Sequence, residues 1–178
     1  METFGKPRPF VDHLHFPRDR ELVLAEIHPE KIDAPIRQLI SRFSHLPFCF
    51  TLQCCFGHFL YDGEQDQENL QPLPSHDVGP VKYRIAYLAL CLENSRDGRK
   101  LYSGLESVAA AKPEYIQFGS PGWFWKRHVN SYSLQVEPIR FAQSDIAIIG
   151  YEEALIVQKT RDRFFDLLGE LVLEMQPQ

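Results

Sequence analysis

Cys55 and His58 stand three residues apart in the run TLQCCFGHF (51–59), with Gly57 between them. A thiol and an imidazole suit nucleophilic attack, proton transfer or the binding of a soft metal ion. Whether the two meet depends on the backbone. In an unbroken strand, residues three apart project from opposite faces. Glycine adopts positive φ without a side-chain clash, so a sharp turn at Gly57 brings both groups to one point and leaves backbone amides facing outward.

Three chemistries use such a corner. Cys55 could be a thiolate nucleophile with His58 beside it. Cys54 or Cys55 could join His58 as metal ligands, with His13 and His15 as the further histidines the sequence offers. The amides could cradle an anion or a carboxylate. Against all three stands a plain structural reading, in which Cys54 and Cys55 are small core side chains and His58 is a hydrogen-bonded histidine near a turn. Trp123 and Trp125 flank Phe124 beside Gly-Ser-Pro-Gly (119–122). Exposed, they would stack on a base or another ring; buried, they fill the core. The sequence carries no Ser/His/Asp order, phosphate loop or dinucleotide fingerprint.

The elements that must position this corner are read from periodicity. Residues 1–17 hold three prolines and form an irregular lead-in, and 17–28 give a short helix. Ile32, Ile36, Leu39, Ile40 and Phe43 make one apolar stripe, predicting a helix over 34–45 with Asp33 as its cap, Pro35 in its first turn and Pro47 beyond its end. The aromatic run that follows divides at Gly57 into strands at about 48–53 and 58–62. The polar stretch 62–80 reads as a solvated loop, 81–93 as a buried strand, and NSRDG (94–98) as a loop. A helix over 99–111 precedes a strand, a turn at 119–122 and one or two strands through Val136. Gln143 to Leu173 reads as a long amphipathic helix capped by Ser144, covering a sheet face or a partner such as a second copy of the chain. One unit thus occurs twice, a helix followed by paired strands. The expected class is α+β: a single domain over 1–178 with a mixed or antiparallel sheet and a C-terminal helix over 143–174.

Composition sets outer limits. The chain of 178 residues is long enough to bury a real core, and its 44% hydrophobic content suits a globular protein. A net charge of −5 weighs against wholesale nucleic-acid binding. Basic clusters at Lys126-Arg127-His128 and at Arg96, Arg99 and Lys100 read as solvated surface. No signal-peptide pattern opens the sequence and no apolar run approaches a membrane span, so a cytoplasmic protein with four reduced cysteines is expected.

The order IDAPIRQLISRF (32–43) followed by FTLQCCFGHF (50–59) resembles the wybutosine-synthesising methyltransferase family, which methylates a tricyclic guanine derivative in tRNA with S-adenosylmethionine. Asp33 and Ile36 match that family's Asp-x-x-Ile helix. Thr51, Cys55 and Gly57 match its Thr-x-x-Ser-Cys-Ser-Gly-Arg turn. SYSLQVEPI (131–139) sits where its Leu-Glu-Val-Pro stretch falls. His58 stands in place of the arginine and Cys54 in place of a serine. The resemblance implies S-adenosylmethionine as cofactor, tRNA as partner, and a ligand site at the 51–58 turn formed by Thr51, Cys55, Gly57 and His58, with Trp123 as a ring to stack on. The alternative is a non-catalytic module that holds a small molecule or a metal at the Cys/His corner.

Overall fold

The computed structural model describes residues 5–141 and 146–176. Residues 5–13 run without helix or strand into α1 (Phe16–Ala25). A 3-10 turn at Ala34–Ile36 then leads into α2 (Arg37–Ser44), whose Leu39, Ile40 and Phe43 are buried as their spacing predicts. Asp33 does not cap this helix; its carboxylate is used elsewhere.

Next come β1 (Cys49–Cys55) and β2 (His58–Leu60), parted at Gly57 as expected. The loop 62–80 returns to β3 (Val81–Arg84) and β4 (Ala86–Leu92), so the single strand expected over 81–93 is broken at Ile85. β1 pairs with β4, β2 with β3, and Cys55 opposes Tyr87 while His58 opposes Arg84. These four strands are one long antiparallel ribbon bent at a single corner, where Gly57 faces Ala86. A Cβ on Gly57 would lie 2.8 Å from the Ala86 Cβ, and its φ is +89°, so both space and backbone require glycine there.

α3 (Arg96–Ala110) starts earlier than its apolar stripe suggests, because Ser95 accepts a hydrogen bond from the Gly98 amide and caps it; residues 96–98, expected in a loop, are helical. Between β5 (Ile116–Gly119) and β6 (Ser131–Val136) lies α4 (Gly122–Arg127), a short helix where a turn and strand were expected; Trp123, Phe124 and Trp125 ride on it. The expected helix over 143–174 is shorter. Residues 146–149 form β7 (Ile146–Ile149), and α5 (Tyr151–Glu174) begins after Gly150. Gln143 and the predicted cap Ser144 lie outside the described residues.

The fold is α+β, with strand pairings all antiparallel among the described residues. A four-stranded sheet runs β1-β4-β6-β5 and a three-stranded one β2-β3-β7. In the second helix-plus-strands unit β5 and β6 pair with each other; in the first, β1 and β2 diverge into different sheets. α2, α3 and α5 join these sheets in one apolar core with Leu88, Leu90, Leu134 and Phe164. The stripe of α5 packs on this core through Ala154, Val157, Phe164, Leu168 and Val172. No helix among the described residues is long and apolar enough to cross a membrane.

Register assigns the two faces of the larger sheet. Directly opposed residues share a face, so Phe50, Gln53 and Cys55 lie with Cys91, Ala89 and Tyr87, and with Ser131, Ser133 and Gln135 of β6. A register shift between Thr51 and Gln53 makes this possible. Without that bulge, Cys55 would share the core-facing side of Thr51; with it, Cys55 turns to the opposite face.

Candidate functional site

A cavity of about 660 Å³ opens over the polar half of this face. Gln53, Cys55, Tyr87, Ser133 and Gln135 form its floor, and His58, Arg84 and Ile146 of the smaller sheet form one side. Trp123 and Phe124 of α4, together with Lys31 and Asp33, complete its lining.

The corner is clamped from two directions. The Phe56 amide donates to Asp33 Oδ2 at 2.7 Å. From α5, Arg161 Nη1 donates to the Gly57 carbonyl at 3.1 Å, with its guanidinium 4.0 Å from the centre of the Phe56 ring. Phe56 in turn stacks on Phe165. Arg161 is 3% exposed. A buried guanidinium on a carbonyl and an aromatic face fixes the turn more firmly than a neutral donor would. The Gly57 amide lies 3.4 Å from Cys55 Sγ. The Phe56 and Gly57 amides are therefore already engaged, which removes the outward-facing amide nest expected for an anion.

Asp33, Cys55 and His58 converge beneath this turn, one donor atom from each lying within 4.8 Å of the others. His58 is 2% exposed, with Nδ1 3.2 Å from the Asn69 carbonyl oxygen and Nε2 3.5 Å from Asp33 Oδ2. Both ring nitrogens thus face acceptors, an arrangement satisfied by the doubly protonated ring. The hydrogen bond to Asp33, then that to Cys55, raises the His58 pKa to about 10 against the opposing pull of burial. For Asp33, burial pushes upward, but the hydrogen bonds from His58 and the Phe56 amide outweigh it and hold the carboxyl below its usual range. Burial drives the neighbouring Cys54 thiol up to about 12, leaving it a neutral, inert group.

Of the residues singled out from sequence, Cys54, Cys55, His58, Trp123 and Phe124 line the cavity, and Gly57 makes the turn that brings Cys55 and His58 together. Trp123 is 50% exposed, with the Arg127 guanidinium 4.2 Å from its ring centre. Thr51 is not at the cavity: it lies across the bulge, buried on the core side, its hydroxyl without a hydrogen-bond partner. His13 does not reach the corner either, meeting Asp19 and His128 instead. Four participants escape the sequence reading. Asp33 was read as a cap, Tyr87 and Gln135 as strand residues, and Arg161 as one of the charges between stripe residues of a helix. Only the family resemblance, which matches Asp33, carried a signal for any of them.

No family model matches the chain, and no curated protein matches it. Among solved structures, the structure of PH1069 protein from Pyrococcus horikoshii is similar, at 13% identity over 90% of this chain and 92% of that one, with a TM-score of 0.47. A likeness at that level assigns neither fold nor function.

Proposed function

We propose that the protein binds a small molecule bearing an aromatic ring and an acidic group in this cavity, with S-adenosylmethionine the first candidate and methyl transfer to a tRNA base the activity. One observation carries the binding reading: the Gly57 turn, Asp33 and α4, distant in sequence, enclose a single cavity whose size suits a cofactor-sized ligand (about 300–1,000 Å³ for such sites). Trp123, Phe124 and Tyr87 offer rings for stacking, and Lys31 and Arg84 offer positive charge to a carboxylate. The cofactor and the acceptor come from the family resemblance.

When bound, S-adenosylmethionine supplies an activated methyl group. The chain's own contribution is placement, the usual source of rate in such transfers. His58, held protonated by Asp33 and Cys55, is a fixed charge at neutral pH and not a general base. Calorimetry tests this: S-adenosylmethionine binds at one site per chain, and Trp123→Ala weakens it about tenfold, the worth of one stacking contact. Absence of heat at millimolar cofactor contradicts it.

A second reading has its own support. The Asn69 carbonyl oxygen faces His58 Nδ1, the backbone contact that commonly orients a metal-ligating imidazole, while Nε2 faces Asp33 and Cys55. Three such donors beside a cavity suit a zinc ion with an open position, bound in exchange for the ring proton. One zinc per chain that is lost in Cys55→Ser supports this; zinc-free protein after purification without chelator opposes it.

A further inference from the structure

The second cluster of donors lies at the other end of the same sheet face. His13 Nε2 is 3.0 Å and His128 Nδ1 is 3.3 Å from the same oxygen, Asp19 Oδ2. One donor atom from each residue lies within 4.8 Å of the others. We propose that His13, Asp19 and His128 form a site for zinc or a similar divalent transition metal that fastens the N-terminal lead-in to α1 and to the segment following α4.

Geometry is the first support. A tetrahedral ion bound at about 2.0–2.1 Å spaces its ligand atoms about 3.3–3.4 Å apart. The two histidine–aspartate separations depart from that by a few tenths of an ångström at most, and the third pair of donor atoms lies within 4.8 Å, so the three donors are gathered close to the spacing an ion needs. Donor chemistry is the second. Two imidazoles and one carboxylate favour zinc, cobalt or nickel over magnesium or calcium, which prefer all-oxygen shells.

The rings are also held in place before any ion arrives. His13 packs edge-on against Phe16 and His128 edge-on against Phe50. Without an ion, His13 Nε2–H donates to Asp19 Oδ2; Cys91 Sγ, 3.9 Å from His13 Nδ1, gives the other ring nitrogen a neighbour to keep when an ion displaces the Nε2 proton. The three side chains are partly buried but open enough to exchange an ion, at 9%, 25% and 22% exposure for His13, Asp19 and His128.

The placement explains what an ion would do. Residues 5–13 have no secondary structure and are tied down by scattered contacts, among them the Ser120 amide to the Gly5 carbonyl, the Arg8 amide to Ser120, the Val11 amide and carbonyl to the Asn130 side chain, the Arg8 carbonyl to Tyr132, the Asn94 side-chain amide to Asp12, and the Phe10 ring against Tyr102 and Tyr132. His13 is the last anchor before α1. A bound ion converts a hydrogen-bonded His–Asp–His chain into three coordinate bonds joining segments far apart in sequence.

The test uses full-length protein carrying Cys55→Ser, so that the corner at Cys55 does not contribute. Metal-stripped protein is titrated with Zn²⁺ alone. It takes up one ion per chain with micromolar or tighter affinity, unfolds at a higher temperature when loaded, and loses at least tenfold in affinity on His13→Gln or His128→Gln. Co²⁺ in place of zinc gives a spectrum without thiolate-to-cobalt charge transfer. No uptake, unchanged uptake in both glutamine variants, or a thiolate band each overturns the proposal. Should a glutamine variant fail to fold, the imidazole NMR signals of His13 and His128 in the Cys55→Ser protein decide: both shift on adding zinc, or the proposal fails.

Discussion

The two ends of one face of the four-stranded sheet are built differently. At the end near Phe50 and Cys91, α1 lies over the strands, and Phe16 seals them with its ring centre 5.4 Å from that of Phe50. At the end near Cys55 and Tyr87, no helix among the described residues closes the strands off; Gln53, Ser133 and Gln135 replace apolar side chains, and Trp123 and Phe124 of α4 line the cavity left open there. A strand face becomes a cavity where its side chains are polar and its cover is displaced sideways. It becomes core where an aromatic residue of a helix closes it. The open end needs other bracing, and receives it from the Asp33 carboxylate and the Arg161 guanidinium, both on the Gly57 corner.

The largest effect expected from this contrast is on pH dependence. The His58 pKa rises from an ordinary 6.5 to about 10 on folding. A raised pKa contributes stability that is fully present below 6.5 and is lost as pH climbs through about 10. The loss is on the order of 4 kcal/mol between those limits, and His58→Gln abolishes that part of the slope. Urea unfolding of both proteins from pH 6 to pH 10 measures the difference. At the closed end, Phe16→Ala costs about 3–4 kcal/mol by leaving a void over Phe50, yet leaves ligand binding in the cavity unchanged. Gly57→Ala costs about 2–3 kcal/mol, because a Cβ meets Ala86 at 2.8 Å in a backbone with positive φ, and it abolishes ligand binding as well. Trp123→Ala, at a half-exposed position, changes stability by less than about 1 kcal/mol while weakening the ligand. Stability and binding thus separate at Phe16 and Trp123 and fall together at Gly57; equal losses in both quantities at all three positions would erase the distinction between the ends.

Sequence showed the corner but not its surroundings. Gly57 inside an apolar run was enough to place a turn and to bring Cys55 and His58 together, since positive φ at a glycine is a local property. α2 was legible from Ile36, Leu39, Ile40 and Phe43 for the same reason. Asp33 was not legible as a site residue, because an aspartate before a helix has a local explanation as a cap, and its actual partners, Phe56 and His58, are set by tertiary packing. The bulge that turns Cys55 away from Thr51 leaves no glycine or proline as a marker. α4 was hidden because a short aromatic run beside glycines reads as strand and turn, whereas its first turn follows directly from Pro121. β7 was absorbed into α5 because Ile148 happens to continue the helical spacing of Tyr151 and Leu155, although Ile148 is 69% exposed on a strand.

The measurement closest to the central claim is the rate at which each cysteine of the native protein reacts with a small thiol reagent, with and without S-adenosylmethionine. Cys49 and Cys91 are buried in the core, and Cys54 is held neutral by burial. Cys55 reacts well ahead of these three and is slowed by the cofactor if its sulfur lines the ligand cavity. A Cys55 as inert as Cys49, or one whose rate the cofactor leaves unchanged, would contradict the account.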